Sequence, residues 1–258
     1  MSNRTLRKAG VGLVAALALM VSGCSDDTEP KATDSAPTAP DSAPELSLLG
    51  AADALSGTSF KFEMELGDMM SGSGAVDPNT NMGTMTLTVS EPTSGQTVDM
   101  EIIFSDSDLW MNYGSMGAML GASAPWMHLD LARLGDKGIM GFQPGQSDPA
   151  NAADMLAGFE NVEQVDARTF RGELNLSEVD GSSVADALDE PTGVVPMTVA
   201  LDSEGRLESI TMEIPETDDM PAQTVRIRYF DYGTDVSINP PSEDEVAPAP
   251  DLIYGMFS

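Results

Sequence analysis

The stretch VVPMTVALDSEGRLESITMEI, residues 194–214, decides the fold. Apolar residues alternate with polar ones on either side of Ser203-Glu204-Gly205, a short turn carrying a glycine. That pattern predicts two half-buried strands, 194–202 and 206–214, joined as a hairpin. The same period of two runs outward from it. Phe60, Phe62, Met64 and Leu66 alternate with Lys61, Glu63 and Glu65. Met85, Leu87 and Val89 alternate with threonines, and Val98, Met100, Ile102 and Phe104 follow the same rhythm. Shorter strands are predicted over 108–113 and 126–129, a second hairpin over 161–167 and 168–177, and further strands over 223–232 and 235–238. Pro240-Pro241 is expected to end the sheet, because proline cannot donate to a ladder.

Helix signals are fewer. Leu48, Leu49, Ala52 and Leu55 have helical spacing within 46–55. Asp148 as cap, Pro149 at the first position and Gly158 at the stop predict a helix over 148–159. A weaker helix over 178–188 is interrupted by Gly181. About ten strands and three helices, with short connections between strands, make an α+β chain. A large curved antiparallel sheet with helices in its concavity satisfies one apolar face per strand.

The chain's beginning has a different character. Arg4, Arg7 and Lys8 precede an uncharged run of 13 residues, Ala9 to Val21. That is the layout of an export signal, too short to span ~30 Å of hydrocarbon comfortably. Val21-Ser22-Gly23-Cys24 resembles the bacterial lipobox, in which the cysteine thiol is alkylated with diacylglycerol and the chain is then cut before it. A thiolate is a soft, strong nucleophile, suited to forming a stable thioether. The alternative, an ordinary signal with a chance cysteine, would leave a lone free thiol in an exported protein. Cys24 is the sole cysteine, so no intramolecular disulfide forms.

Residues 25–45, SDDTEPKATDSAPTAPDSAPE, hold no aromatic residue and no Leu, Ile, Val or Met. Such a segment cannot bury enough apolar surface to offset the entropy of ordering. It reads as a tether of about 25 Å mean span, from ~5–6 Å × √n. The organisation is then 1–23 signal peptide, 24–45 lipidated cysteine and tether, and 46–258 a single domain.

The whole chain carries 12 basic and 42 acidic residues. Removing residues 1–23 takes away three bases and no acid, which leaves a net charge of −33. That balance excludes nucleic acid as a partner and a surface that hugs anionic headgroups. No GxSxG elbow, HExxH, P-loop or dinucleotide-binding glycine pattern is present, and no serine sits in a nucleophile context near the single histidine, His128. The expectation is no enzyme, no cofactor and no metal. A copper site would have to pair His128 with methionines.

The domain resembles the LolA-like lipoproteins of mycobacteria and their relatives, the group that includes LppX and LprG. The resemblance rests on PWMHLDL (125–131), DMLAGFENVEQVDARTFRGELNL (154–176), MTVALDSEGRLESITMEIP (197–215) and VRIRYFDYGTDVSINPPSEDEV (225–246), in that order after a lipobox. It implies a half-barrel sheet wrapped around helices. It also implies carriage of an acylated lipid or glycolipid in the cell envelope, at the extracytoplasmic face of the membrane, by a palmitate-type anchored protein without catalysis. A protein partner in lipid export would fit such a role. The alternative is an interaction or sensor lipoprotein of the same fold that binds a protein partner.

This chain has more methionine than the group leads one to expect, 18 in all. Methionine is flexible and polarizable, and suits a surface that repacks around varied ligands. The lining expected for an apolar cavity is Phe60, Phe62, Met64, Met100, Ile102, Met119, Leu120, Trp126, Leu156 and Phe159. The Gly- and Met-rich segment 114–124 is expected to be either a lid or a short helix over the sheet.

Overall fold

The computed structural model describes residues 42–90, 96–133, 148, 151–176, 193–216 and 221–256. Cys24, residues 25–41 of the tether and the helix expected over 178–188 lie outside the described residues; the last four residues assigned to the tether, 42–45, belong instead to the first turn of a helix.

Among the described residues twelve strands form one open sheet: β1 Phe60–Leu66, β2 Met70–Asp77, β3 Met82–Ser90, β4 Thr97–Ser105, β5 Asp108–Asn112, β6 Trp126–Asp130, β7 Phe159–Gln164, β8 Thr169–Asn175, β9 Val194–Leu201, β10 Leu207–Ile214, β11 Gln223–Phe230 and β12 Val246–Pro248. Their order across the sheet is β12-β6-β5-β4-β3-β2-β1-β11-β10-β9-β8-β7. Two antiparallel meanders, β1 to β6 and β7 to β11, therefore join at the β1–β11 ladder, where Phe62 lies opposite Tyr229. One ladder departs from the expected antiparallel sheet: β12 runs parallel to β6, with Val246 opposite Trp126.

The inner face is continuous across the sheet. It carries Phe60, Phe62 and Met64 from β1, Met85 and Leu87 from β3, Met100, Ile102 and Phe104 from β4, and Val225, Ile227 and Tyr229 from β11, all buried. Helix α1, Ser42–Gly57, packs on α2, Ala152–Ala157, and on β7 and β10. A third helix, Asp251–Met256, buries Ile253 and Tyr254. This is the half-barrel arrangement implied by the resemblance. Among the described residues no helix is long and apolar enough to cross a membrane.

Several expectations are corrected. In α1 the buried residues are Leu48, Ala51 and Leu55, and Leu49 faces outward. Helix α2 starts at Ala152 and not near Pro149. Asn151 adopts a left-handed conformation, and the Asp148 carboxylate accepts the Ala152 N–H at 2.7 Å from a turn further out. Gly158 ends the helix as expected, donating to the Asp154 carbonyl at 3.0 Å. No strand forms over 235–238. The left-handed residues Asp231 and Gly233 turn the chain away, and β11 already has both edges paired, by β1 and β10. The sheet does not end at Pro240-Pro241 either, because β12 follows.

Strand β2, MSGSGAVD, is the other addition to the expected set. Its inward positions are Gly72, Gly74 and Val76, so it lacks the apolar alternation that marks a strand. A Cβ on Gly74 would lie 2.7 Å from the Phe62 ring, and one on Gly83 of β3 would lie 1.9 Å from the Phe104 ring. These glycines hold floor space on which neighbouring rings lie.

The sheet's edges are protected. β7 presents Glu160 and Glu163 and is interrupted by an irregularity between them, with Asn161 left-handed. β12 is three residues long and ends in Pro248. Charge, bulge and proline all discourage edge-to-edge pairing.

Candidate ligand-binding interior

Seven of the ten expected lining residues lie in one buried cluster: Phe60, Phe62, Met64, Met100, Ile102, Leu156 and Phe159. Leu120 is partly buried against the same cluster. Trp126 is not an inner residue. Met127 and Leu129 are the buried positions of β6, so Trp126 projects to the opposite face with His128. Met119 is 84% exposed and does not line the interior.

The reason lies in segment 114–124. A 3-10 turn, Gly114–Met116, is followed by turns in which Leu120 N–H donates to the Met116 carbonyl at 3.2 Å and Ala122 N–H to the Gly117 carbonyl at 2.9 Å. Leu120 and Ala122 then pack on the core and Met119 points out. Met119→Glu is therefore expected to change unfolding free energy by no more than ~0.5 kcal/mol, whereas Leu120→Glu should cost about 1–3 kcal/mol. Urea denaturation of the two variants checks the contrast.

The interior is rich in methionine. Met64, Met85, Met100, Met111, Met127, Met155, Met197 and Met212 are all buried. Each unbranched thioether can change rotamer at little cost, so this face can follow the shape of an apolar guest.

Among the described residues its polar groups include Tyr113 and Tyr254 on the β5–β6 side and Tyr229 and Tyr232 where β1 begins and β11 finishes. Tyr229 is 2% exposed, with its ring edge-on to Phe60 at 5.7 Å. Burial drives its hydroxyl pKa well above the ordinary value, and the negative charge of Asp148 and the nearby Tyr232 push the same way. The Tyr232 hydroxyl donates to the Leu207 carbonyl at 2.6 Å. Its pKa is also raised, by burial first and then by Asp202, against the opposing charge of Arg206. Arg206 lies over the Tyr232 ring at 4.5 Å and pairs with Asp202 at 2.7 Å. Asn151 is the buried polar residue of the adjoining turn.

Sequence reasoning missed Tyr229. The signal was available: Val225, Ile227 and Tyr229 share the inward period of β11.

His128 occupies the outer face. Its Nε2 lies 2.6 Å from Asp108 Oδ1, and its ring is 5.6 Å from that of Trp110. Burial raises the Asp108 pKa, but hydrogen bonds from Ser107 and His128, together with the histidine charge, outweigh it and hold the carboxylate below its usual value. Strand alternation puts Met111 and Met127 on the other face, so they do not converge with His128 on a copper ion. Among the described residues no group of three or more His, Cys, Asp or Glu is arranged to hold a metal.

No family model and no curated protein matches this chain. Among solved structures, it is similar to LprF from Mycobacterium bovis, at 12% sequence identity, with 77% of this chain and 96% of that chain covered and a TM-score of 0.43. The likeness is one of fold.

Proposed function

We propose that this chain is a lipoprotein, anchored through Cys24 at the extracytoplasmic face of the cell membrane, that binds a lipid or glycolipid inside the half-barrel and carries it within the envelope. The observation that supports this reading is the inner face itself. It is a broad surface of buried methionine, aliphatic and aromatic side chains. Each acyl CH2 moved there from water contributes about 0.8 kcal/mol, so a long chain is held without directed chemistry. The residues assigned to the ligand are Phe60, Phe62, Met64, Met100, Ile102, Leu156 and Phe159, with Leu120 at the margin. No catalytic step is assigned.

A second reading is an interaction lipoprotein whose core is filled by its own side chains. The full burial of Ile102, Leu109 and Met111 favours it.

Native mass spectrometry separates the two. Residues 24–258 carrying Cys24→Ser, incubated with an envelope lipid extract, should give peaks heavier by one lipid mass that vanish on organic extraction. A chain that stays bare after that incubation overturns the carrier and leaves the interaction reading.

A further inference from the structure

Both tryptophans of the chain sit on the outer face of the sheet, side by side. Leu109 and Met111 are the buried positions of β5, and Met127 and Leu129 those of β6. Trp110, Asn112, Trp126 and His128 therefore project outward. Trp110 lies opposite His128, which makes Trp126 its diagonal neighbour, about 7–8 Å away. Ile103 of β4 flanks Trp110, and Val246 of β12 flanks Trp126. All of these side chains are half-buried, so part of each is open to solvent.

The charge around them is one-sided. Over β1 and β11, cations neutralise acids: Glu63 pairs with Arg228 at 2.9 Å, Glu65 with Arg226 at 3.8 Å, and Lys61 with Asp231 at 2.9 Å. Strands β2 to β6 and β12 contain no lysine or arginine. Asp99 and Glu101 project from β4 and are exposed, with Glu101 opposite Asn112. The exposed run Glu243-Asp244-Glu245 leads into Val246, the residue opposite Trp126. Among the described residues none of these acids pairs with a lysine or arginine. His128 is held by Asp108 at 2.6 Å, and Arg133, which follows β6, by Asp251 at 3.0 Å. Acids alone make a solvated surface. Set around two indole faces they complement a cation, since the ring face attracts positive charge and the carboxylates bind its donors.

We propose that the outer face of β4, β5, β6 and β12 docks an extended, arginine-rich segment of a partner protein, with guanidinium groups stacked on Trp110 and Trp126 and paired with Glu101 and the acids of 243–245. Arginine fits better than lysine, because its planar, weakly hydrated head lies flat on an indole and still offers its edge to a carboxylate. An extended chain repeats same-side residues every ~6.6 Å, from ~3.3 Å per residue, close to the diagonal between the two rings. Arginines at alternate positions therefore meet both tryptophans. The same acids repel an anionic bilayer surface. This face lies across the sheet from the proposed lipid interior, so the inference stands whether or not that interior holds a guest.

The capped peptide Arg-Gly-Arg-Gly-Arg-Gly is the probe, titrated at low salt into residues 24–258 carrying Cys24→Ser and followed by calorimetry and by tryptophan emission. With both tryptophans on this face, emission reports this face alone. It should change saturably, with the affinity that calorimetry gives. The same peptide with neutral citrulline for arginine should not bind. Trp126→Ala should weaken the arginine peptide about two- to fivefold, the weight of one exposed cation–π contact. Glu101→Gln should weaken it by a similar factor, and because it keeps both rings it carries the test should Trp126→Ala fail to fold. The same charge change at exposed Glu208 of β10 should leave the affinity unchanged. Peptide binding that leaves the emission unmoved would place the peptide elsewhere on this acidic chain and overturn the inference. Unchanged affinity in both Trp126→Ala and Glu101→Gln would do the same, as would an equal loss in Glu208→Gln, which would assign the attraction to net charge. Emission that shifts with phosphatidylcholine vesicles and not with the peptide would make this a membrane-facing surface and end the protein-partner reading.

Discussion

Gly83→Val is expected to destabilise the domain by about 1–3 kcal/mol, the usual cost of forcing extra bulk into a packed core. Gly83 is a buried β3 residue directly opposite Phe104 of β4. A Cβ there would lie 1.9 Å from one ring carbon and within 2.5 Å of two others. Phe104 is itself fully enclosed, so the ring cannot swing into solvent. Gly83 is not among the left-handed glycines, so its requirement is for space and not for an unusual backbone angle. Two terms oppose the clash. Valine suits a strand better than glycine by up to ~1 kcal/mol, and a side chain lowers the entropy of the unfolded chain by a few tenths to ~1 kcal/mol. The clash should outweigh them. Denaturant unfolding measures the balance, and a second variant identifies its origin. In Gly83→Val/Phe104→Ala the valine enters space the ring has left, so the double variant should be more stable than the sum of the single effects predicts. Strict additivity would sink the ring-over-glycine account.

Cys24→Ser has the largest expected effect on where the protein is found. The proposed anchor requires a thioether, and a serine hydroxyl lacks the nucleophilicity to form one. The variant should incorporate no labelled palmitate and should accumulate as unprocessed precursor, where the wild type runs as a shorter, labelled, membrane-bound species. Two acyl chains hold a protein stably at about 0.8 kcal/mol per buried CH2, whereas one holds it only marginally. Loss of the thioether should therefore remove the anchor outright and not weaken it by degrees. A Cys24→Ser protein still processed to the wild-type mature mass would refute the lipobox reading.

Much of the sheet was legible because burial on one face writes a period of two into the chain. β1, β4 and β9 to β11 carry it plainly. β2 did not, since two of its inward positions are glycines and the apolar bulk that covers them belongs to Phe62 and Met64 on its neighbour. β12 was hidden for another reason. It has three residues, and its partner β6 lies some 120 positions earlier, a pairing no local pattern announces. Trp126 is large and apolar, yet Met127 and Leu129 fix the inward positions of that strand. Residue type and strand position disagreed, and position decided. Tyr229 shows the reverse: Val225 and Ile227 make its inward position readable, but not that among the described residues its hydroxyl has no hydrogen-bond partner.

The seam between β1 and β11 has a consequence for how the domain is made. β1 emerges early in a chain delivered from its N-terminus, yet its second edge is closed only by residues 225–230. Until those residues arrive, the first meander presents an open edge at what will become the middle of the sheet. Its apolar face also lacks α2 and the strands β7 to β11. Local hairpins can form in microseconds, but this pairing must wait for nearly the whole chain. An exported chain of this topology thus cannot complete its interior while still being threaded across a membrane. On the proposed reading of an exported lipid carrier, a guest that needs both meanders enters only after translocation is over, and filling then takes place on the outer side.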